Sequence, residues 1–167
     1  SVSGTAYDVP AGDINVPADA PTIQIAIDIA PDNKTIVVAP GEYFENIDIP
    51  NKSGIALISS SGPEMTIING GGLGTVIKSV CCPNDFTLDG FTITGGNGEY
   101  GSNISGINTY TMNNSTFKNL IITGNEYGAI FQASSFSNTF ENVAIVRNSN
   151  GTSNFGWDAA FHISGNN

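Results

Sequence analysis

Apolar and polar positions alternate along this chain in short runs, and Gly, Asn or Pro closes nearly every run. Alternation with a period of two marks a strand buried on one face. From Thr35 onward it predicts strands over residues 35–39, 44–49, 54–59, 65–69, 75–79, 86–94, 105–109, 116–123, 129–133, 139–146 and 159–163. The gaps carry turn formers such as Pro40-Gly41, Pro50-Asn51 and Gly70-Gly71-Gly72, residues suited to the backbone of a tight turn. Residues 1–20 read as an extended N-terminal arm with one strand near 13–16. Residues 21–31 are ambiguous. Ile23, Ala26, Ile27 and Ala30 fall on one helical face, with Thr22 placed to cap it and Pro31 to stop it. Ile23, Ile25, Ile27 and Ile29 also sit two apart, as in a strand.

So many short strands fit a sandwich, a barrel or a solenoid, and internal repetition separates these. Thr87-Leu88-Asp89-Gly90-Phe91-Thr92-Ile93, Thr116-Phe117-Lys118-Asn119-Leu120-Ile121-Ile122 and Thr139-Phe140-Glu141-Asn142-Val143-Ala144-Ile145 share one pattern, spaced 29 and then 23 residues apart. Gly106-Ile107, Ala129-Ile130 and Ala160-Phe161 form a second register, spaced 23 and 31. One coil of roughly 23 residues plus loop insertions accounts for both. That length suits a three-sided solenoid whose strands stack about 4.8 Å apart. Within each repeat the first apolar residue is expected to point inward and its charged neighbour outward. Asn119 and Asn142, and again Asn125 and Asn148, are then equivalent turn residues. They either join coil to coil as a hydrogen-bonded ladder or simply mark the turns. The expected fold is all-β, a three-sided parallel β-helix over residues 32–167.

Composition narrows the function classes. Charged residues make up 12% of the chain, about half the usual share, while Gly and Asn number 20 each. The net charge is −10, and the five basic residues, Lys34, Lys52, Lys78, Lys118 and Arg147, are scattered. A phosphate binder needs clustered cations, so nucleic acid is excluded as a partner, and an anionic membrane surface is disfavoured. No apolar run approaches the ~20 residues that span a bilayer, so no membrane insertion is expected. The chain begins at Ser1 without Met or a signal-like segment, which reads as a processed or trimmed chain. Low charge, few Lys and a turn-rich β composition point to an extracellular or cell-surface protein. In that setting the sequons at Asn33, Asn51, Asn103, Asn113, Asn114 and Asn150 are glycosylation candidates.

Thr22-Ile23-Gln24, Ala26-Ile27-Asp28 and Ala30, followed by Ile36-Val37-Val38-Ala39-Pro40-Gly41-Glu42-Tyr43 and Glu45-Asn46-Ile47, resemble the start of pectin lyase-like right-handed β-helices. Thr66-Ile67-Ile68-Asn69-Gly70 and Leu88-Asp89-Gly90-Phe91-Thr92-Ile93 continue the likeness to about residue 148. The resemblance implies that residues 21–31 are a short capping helix, resolving the ambiguity above. It says little of activity, because the superfamily holds lyases, hydrolases, esterases, adhesins and structural surface proteins.

The enzyme branches of that superfamily imply constellations that are missing here. A lyase needs an Arg or Lys base above calcium-binding carboxylates, but Arg147 is the sole Arg and sits beside Asn148 with no carboxylate cluster. A hydrolase needs several Asp on adjacent strands. The outward positions of the regular repeats are instead Thr92, Thr94, Ile121, Thr123, Ala144 and Val146. No catalytic residue is therefore assigned, and no cofactor beyond calcium. Asp85 and Asp89 both face outward if Phe86 and Leu88 face in; they either offer oxygen ligands to calcium or are solvated carboxylates. His162, the single His, reads as a surface or interface residue, with Asp158 near it in sequence. Cys81 and Cys82 are adjacent and without other Cys, so they form a vicinal disulfide, pair with another chain or stay reduced. Tyr100, Tyr110, Tyr127, Phe131, Phe155 and Trp157 lie in or near loops, where they pack loops, stack on sugars or meet a protein partner.

After Phe161-His162-Ile163 the chain reaches Gly165-Asn166-Asn167, where earlier coils continue into a Thr-Phe strand. The last coil is thus expected to be incomplete, belonging to a longer protein or covered by a neighbouring subunit. The leading expectation is a non-catalytic structural protein that self-associates through its solenoid ends and N-terminal arm, building a filament or surface layer. Ile121, Ala144, Val146, Phe131, Phe161 and His162 are the interface candidates. The alternative is a β-helix that binds or degrades carbohydrate, with glycans as partners.

Overall fold

The computed structural model describes residues 7–79, 82–97, 106–126, 130–133, 136–148 and 161–164. It is a right-handed parallel β-helix of about five turns with one short helix at its N-terminal end. Face one stacks β1 (Ile14–Val16), β2 (Thr35–Val38), β5 (Ala56–Ser59), β8 (Thr87–Asp89) and the first halves of β11 (Thr116–Thr123) and β13 (Thr139–Val146). Face two stacks β3 (Gly41–Phe44), β6 (Thr66–Asn69), β9 (Thr92–Thr94) and the second halves of β11 and β13. Face three stacks β4 (Ile47–Ile49), β7 (Ile77–Ser79), β10 (Ile107–Tyr110), β12 (Ile130–Ala133) and β14 (Phe161–Ser164).

Both repeats found in the sequence are structural registers. Thr116 pairs with Thr87 and with Thr139, and Ile130 pairs with Ile107 and with Phe161. In each coil the apolar member of the alternation turns inward, so like residues stack along the axis. On face one the inward ladder is Ile14, Ile36, Leu57, Leu88, Phe117 and Phe140. On face two it is Tyr43, Ile68, Ile93, Ile122 and Ile145. Phe117 and Phe140 stack with ring centroids 5.1 Å apart. This continuous column of apolar side chains is the main source of stability.

Two runs expected as single strands are each divided. Residues 44–49 contribute to β3 and β4 on different faces, and residues 86–94 hold β8 and β9. The second division falls at Gly90 (φ 84), where the chain rounds the corner from face one to face two. The following coils place Asn119 (φ 51) and Asn142 (φ 52) at that corner. Asn is among the few side-chain-bearing residues that enter the left-handed region readily.

The Asn ladder is present. Asn142 Nδ2 donates to Asn119 Oδ1 (2.9 Å), and Asn119 Nδ2 donates to Asp89 Oδ1 (2.7 Å). At another corner Asn125 is 1% exposed and fully engaged. Its Nδ2 donates to Ile93 O, Thr123 O and Asn148 Oδ1, while its Oδ1 accepts from the Gly96 N–H. A buried carboxamide is tolerated because its polar atoms find partners.

The strand expected near 13–16 in the arm is β1. β1 pairs in parallel with β2, and Ile14 and Val16 are buried in the core. These residues are thus the first rung of the solenoid, because their alternation matches the inward positions of β2. The helix, α1 (Ile23–Ile29), covers fewer residues than the 21–31 expected.

Candidate functional site: the two ends and the outer strips

The N-terminal end is shut by side chains whose partners lie a coil away. Ile23, Ala26 and Ile27 of α1 are buried and plug the apolar column. Thr22 caps the helix locally, its Oγ1 accepting from the Ile25 N–H at 3.1 Å. Glu45, from the turn between β3 and β4, accepts from the N–H groups of Ile23 and Gln24 at 2.9 Å each. A carboxylate at these orphan donors also meets the positive end of the helix dipole. Lys52 closes the other end, its Nζ donating to the carbonyls of Ile27, Asp28 and Ala30 at 2.7–2.8 Å. Tyr43 braces the turn by donating from its hydroxyl to Ala39 O; burial, then the charge of Glu45, pushes its phenol above the ordinary value.

Two strand edges at this end, those of β4 and β1, are clipped as well, while β3 ends its sheet. Gln24 grips Asp48 of β4, accepting from its N–H (2.8 Å) and donating to its carbonyl (3.1 Å). Asp19 does the same for β1: its Oδ2 accepts from the Asn15 N–H (2.7 Å), and its own N–H donates to Asn15 O. The Asn15 backbone bond, then its side-chain bond, holds the Asp19 carboxyl below the usual carboxylate range. These groups would otherwise offer hydrogen bonds to another chain.

The C-terminal end has a different character. β13 pairs with β11 and, among the described residues, with no further strand. Its eight residues carry the inward-pointing Phe140, Val143 and Ile145, which are only partly buried against the core. Asn142 donates back along the ladder, and no donor from the described residues reaches its Oδ1.

The outer strip of face two carries the register Glu42, Ile67, Thr92, Ile121 and Ala144, and beside it Phe44, Asn69, Thr94, Thr123 and Val146. Phe44 is 68% exposed and Val146 47%. Of the interface candidates, Ile121 and Ala144 are therefore neighbours in one outward ladder, with Val146 two residues along. Phe131 pairs with His162 in the face-three register, and Phe161 pairs with Ile130, while their side chains lie outside the described residues. Asp158, Tyr100, Tyr127, Phe155 and Trp157 lie outside them too, as does the side chain of Tyr110.

Asp85 and Asp89 both face outward, with Phe86 and Leu88 buried between and beside them. Asp89 accepts from Asn119 and lies 3.4 Å from Lys118 Nζ, whereas Asp85 is exposed in a turn at φ 56. Among the described residues no group of three or more His, Cys, Asp or Glu gathers as a metal site. The Cys82 sulfur is 3.2 Å from Thr111 Oγ1, and Cys81 lies outside the described residues. Asn33, Asn51 and Asn114 are exposed and Asn113 is half-buried; Asn103 and Asn150 lie outside the described residues. Glu45, Lys52, Gln24 and Asp19, which close the N-terminal end, were not singled out from the sequence. Gln24 and Glu45 stand within the two motifs quoted for the family resemblance, and those were the available signals.

The strand order and register define a parallel β-helix with a pectin lyase-like fold. Among solved structures it is similar to the pectin methylesterase of Aspergillus niger, with a TM-score of 0.51 at 16% identity over 83% of this chain and 57% of that one. At that identity the likeness is one of fold alone. In sequence the chain is 35% identical, over 136 residues and 76% of its length, to a cell surface glycoprotein of Methanothermus fervidus. It spans 20% of the length of that protein. No protein-family model matches the chain. Among the described residues no helix is long and apolar enough to cross a membrane.

Proposed function

We propose that this chain is a non-catalytic structural β-helix of a cell surface, joining neighbouring copies end on through its C-terminal coil, as a filament or surface layer requires. The observation that carries the reading is the asymmetry of the two ends. β1 and β4 have backbone groups occupied by Asp19 and Gln24, and α1 fills the core between them. Among the described residues no strand pairs with the outer edge of β13, beside which Val143 and Ile145 are partly buried. Such an edge templates another strand. The similarity to a cell surface glycoprotein supports the location.

The docked β1 changes how copies would meet. An arm that adds its strand to a neighbour would have to surrender the β1–β2 pairing and the burial of Ile14 and Val16. The N-terminal end therefore contributes the outer surface of its helix to a head-to-tail contact. A head-to-tail contact that does not close grows into a fibre, whereas pairing of two C-terminal ends stops at a dimer. Light scattering and electron microscopy across a concentration series test the reading. Filaments or sheets are expected; particles that stay monomeric at high concentration overturn it, and closed dimers overturn the filament form.

The carbohydrate-active alternative has the esterase-like fold on its side. Its difficulty is the outer strip of face two, where Glu42 is the only carboxylate in the ladders of outward positions and is held by Asn69 Nδ2 at 2.7 Å. Turnover of an acidic polysaccharide by the purified chain would establish it.

A further inference from the structure

The described sequons share one corner of the solenoid. Asn33 N–H donates to Ser53 O, Gly54 N–H to Asn84 O, Asp85 N–H to Asn113 O, and Asn114 N–H to Phe136 O. The turns that lead into face one are thus stacked coil upon coil, and Asn33, Asn51, Asn113 and Asn114 all belong to that stack. Nothing in their spacing along the chain announces this.

Their carboxamides are employed differently. Asn113 Nδ2 donates to Asn84 Oδ1 (3.2 Å) and its Oδ1 accepts from the Phe136 N–H (2.9 Å), so it binds the coils on both sides. The hydroxyl of its sequon, on Ser115, is fully buried, accepting from the Phe86 N–H and donating to Asn113 O. Asn33 lays its Oδ1 against Gly54, at a spot where a Cβ on that glycine would collide with it. Asn51, in contrast, is exposed at the tip of a turn closed by the Lys52 N–H on Pro50 O (2.7 Å). Asn114 is exposed at φ 52 and grips the next coil through its backbone N–H.

We infer that Asn51 and Asn114 carry N-linked glycans while Asn33 and Asn113 stay bare, giving the solenoid a sugar-bearing ridge along one corner. The inference rests on the cell-surface reading, because sequons are used on exported chains. The co-reactant is an oligosaccharide carried on a lipid phosphate or pyrophosphate. The Asn Nδ2 forms a bond to the anomeric carbon, whose bond to the phosphate oxygen breaks. The lipid phosphate departs with that electron pair, and one Nδ2 proton is released; no redox step is involved. At Asn51 and Asn114 the sugar projects into solvent and disturbs no bond between coils. At Asn113 it would have to occupy the space to Asn84. A ridge on this corner leaves the outer strip of face two and the C-terminal coil uncovered.

The test is secreted expression, behind an added leader, in eukaryotic cells whose transferase reads Asn-x-Ser/Thr. The exported chain is treated with peptide N-glycosidase in heavy-oxygen water, and converted sites are mapped by mass spectrometry. Heavy label at Asn51 and Asn114, unmodified Asn33 and Asn113, and loss of one glycan mass in each of Asn51→Gln and Asn114→Gln are expected. Label at Asn33 or Asn113, or its lack at either Asn51 or Asn114, overturns the assignment. Because export is imposed, a wrong pattern refutes the ridge without touching the surface reading, which the assembly experiment decides separately.

Discussion

At the N-terminal end of this solenoid a helix plugs the core, Glu45 and Lys52 hold the helix by its two ends, and Asp19 and Gln24 occupy strand edges. At the C-terminal end Val143 and Ile145 of β13 are partly buried, and among the described residues the Asn ladder runs no further than Asn142. A parallel stack has a backbone edge and an apolar cross-section at each end, so each must be closed by something. Here the N-terminal end is plugged by α1 and clipped at β1 and β4, with β3 left at the edge of its sheet. At the other, no strand among the described residues pairs with the outer edge of β13, and that difference distinguishes the two ends.

The largest expected contrast comes from removing the same side-chain atoms at each end. Ile27 is fully buried in the helix plug, and Ile145 is partly buried in the last described coil of face two. Ile27→Ala should cost about 4 kcal/mol through lost burial and the cavity left behind, and Ile145→Ala about 1 kcal/mol. Denaturant midpoints of the isolated chain measure both. Equal losses would mean that the C-terminal end is as well covered as the N-terminal one. Assembly should reverse the order of sensitivity: under conditions where copies associate, Ile145→Ala should weaken association more than Ile27→Ala does.

A second contrast lies within the ladders. Asn125 makes its bonds while 1% exposed, so Asn125→Ala strands the Gly96 N–H and the Ile93 and Thr123 carbonyls. A loss of about 3 kcal/mol follows from the cost of leaving buried polar groups unpaired. Asn142→Ala removes one bond at an exposed position and should cost about 0.5 kcal/mol plus the change in left-handed backbone preference. Thermal unfolding of the two variants compares them; a severe Asn142 effect would show that its corner is as dry as that of Asn125.

How much of this could be read in advance depends on the distance over which each interaction acts. Thr87, Thr116 and Thr139, and Ile107, Ile130 and Phe161, recur at coil spacing because stacking demands like residues at like positions, so their registers were legible. So was the Asn119–Asn142 ladder, an Asn at each equivalent corner. The docking of β1 was less so: three residues, Ile14–Val16, are too short a run to tell a free arm from a first rung. The clips were illegible because each occurs once. Lys52 reaching the carbonyls of Ile27, Asp28 and Ala30 belongs to no repeat, and a lone Lys in a turn carries no pattern. Likewise, the shared corner of the sequons emerged only once loop insertions had been placed outside the coil.

Cutting the helix clips tests whether the seal is held from its ends. Glu45→Ala frees the Ile23 and Gln24 N–H groups and should cost about 1.5 kcal/mol, the upper range for a helix N-cap. Lys52→Met keeps the aliphatic stem, loses three bonds to carbonyls, and should cost about 1 kcal/mol. Amide hydrogen exchange localises the effect: faster exchange is expected over α1 and β1 with the later coils unchanged. Uniform acceleration across the stack would instead make the cap part of one cooperative unit with the whole solenoid.

The smallest effect is the most specific, and it depends on pH. The Asn15 backbone and side chain hold the Asp19 carboxyl below its ordinary value of 3.8, so the folded clip prefers the charged form. The stabilisation is therefore complete above the unfolded value and disappears as pH falls through the lowered folded one. The Asp19 carboxylate lies at the surface, so the consequence is local: the Asn15 N–H should lose its partner below pH 3.8 while the core of α1 stays buried. An NMR titration of the Asn15 amide should follow the Asp19 carboxyl with a midpoint below 3.8, and Asp19→Asn should abolish the step. A midpoint at or above the ordinary value would show that the clip does not close in solution. In that case the β1 edge would be as open to another chain as β13, and the two ends would differ only in the helix between them.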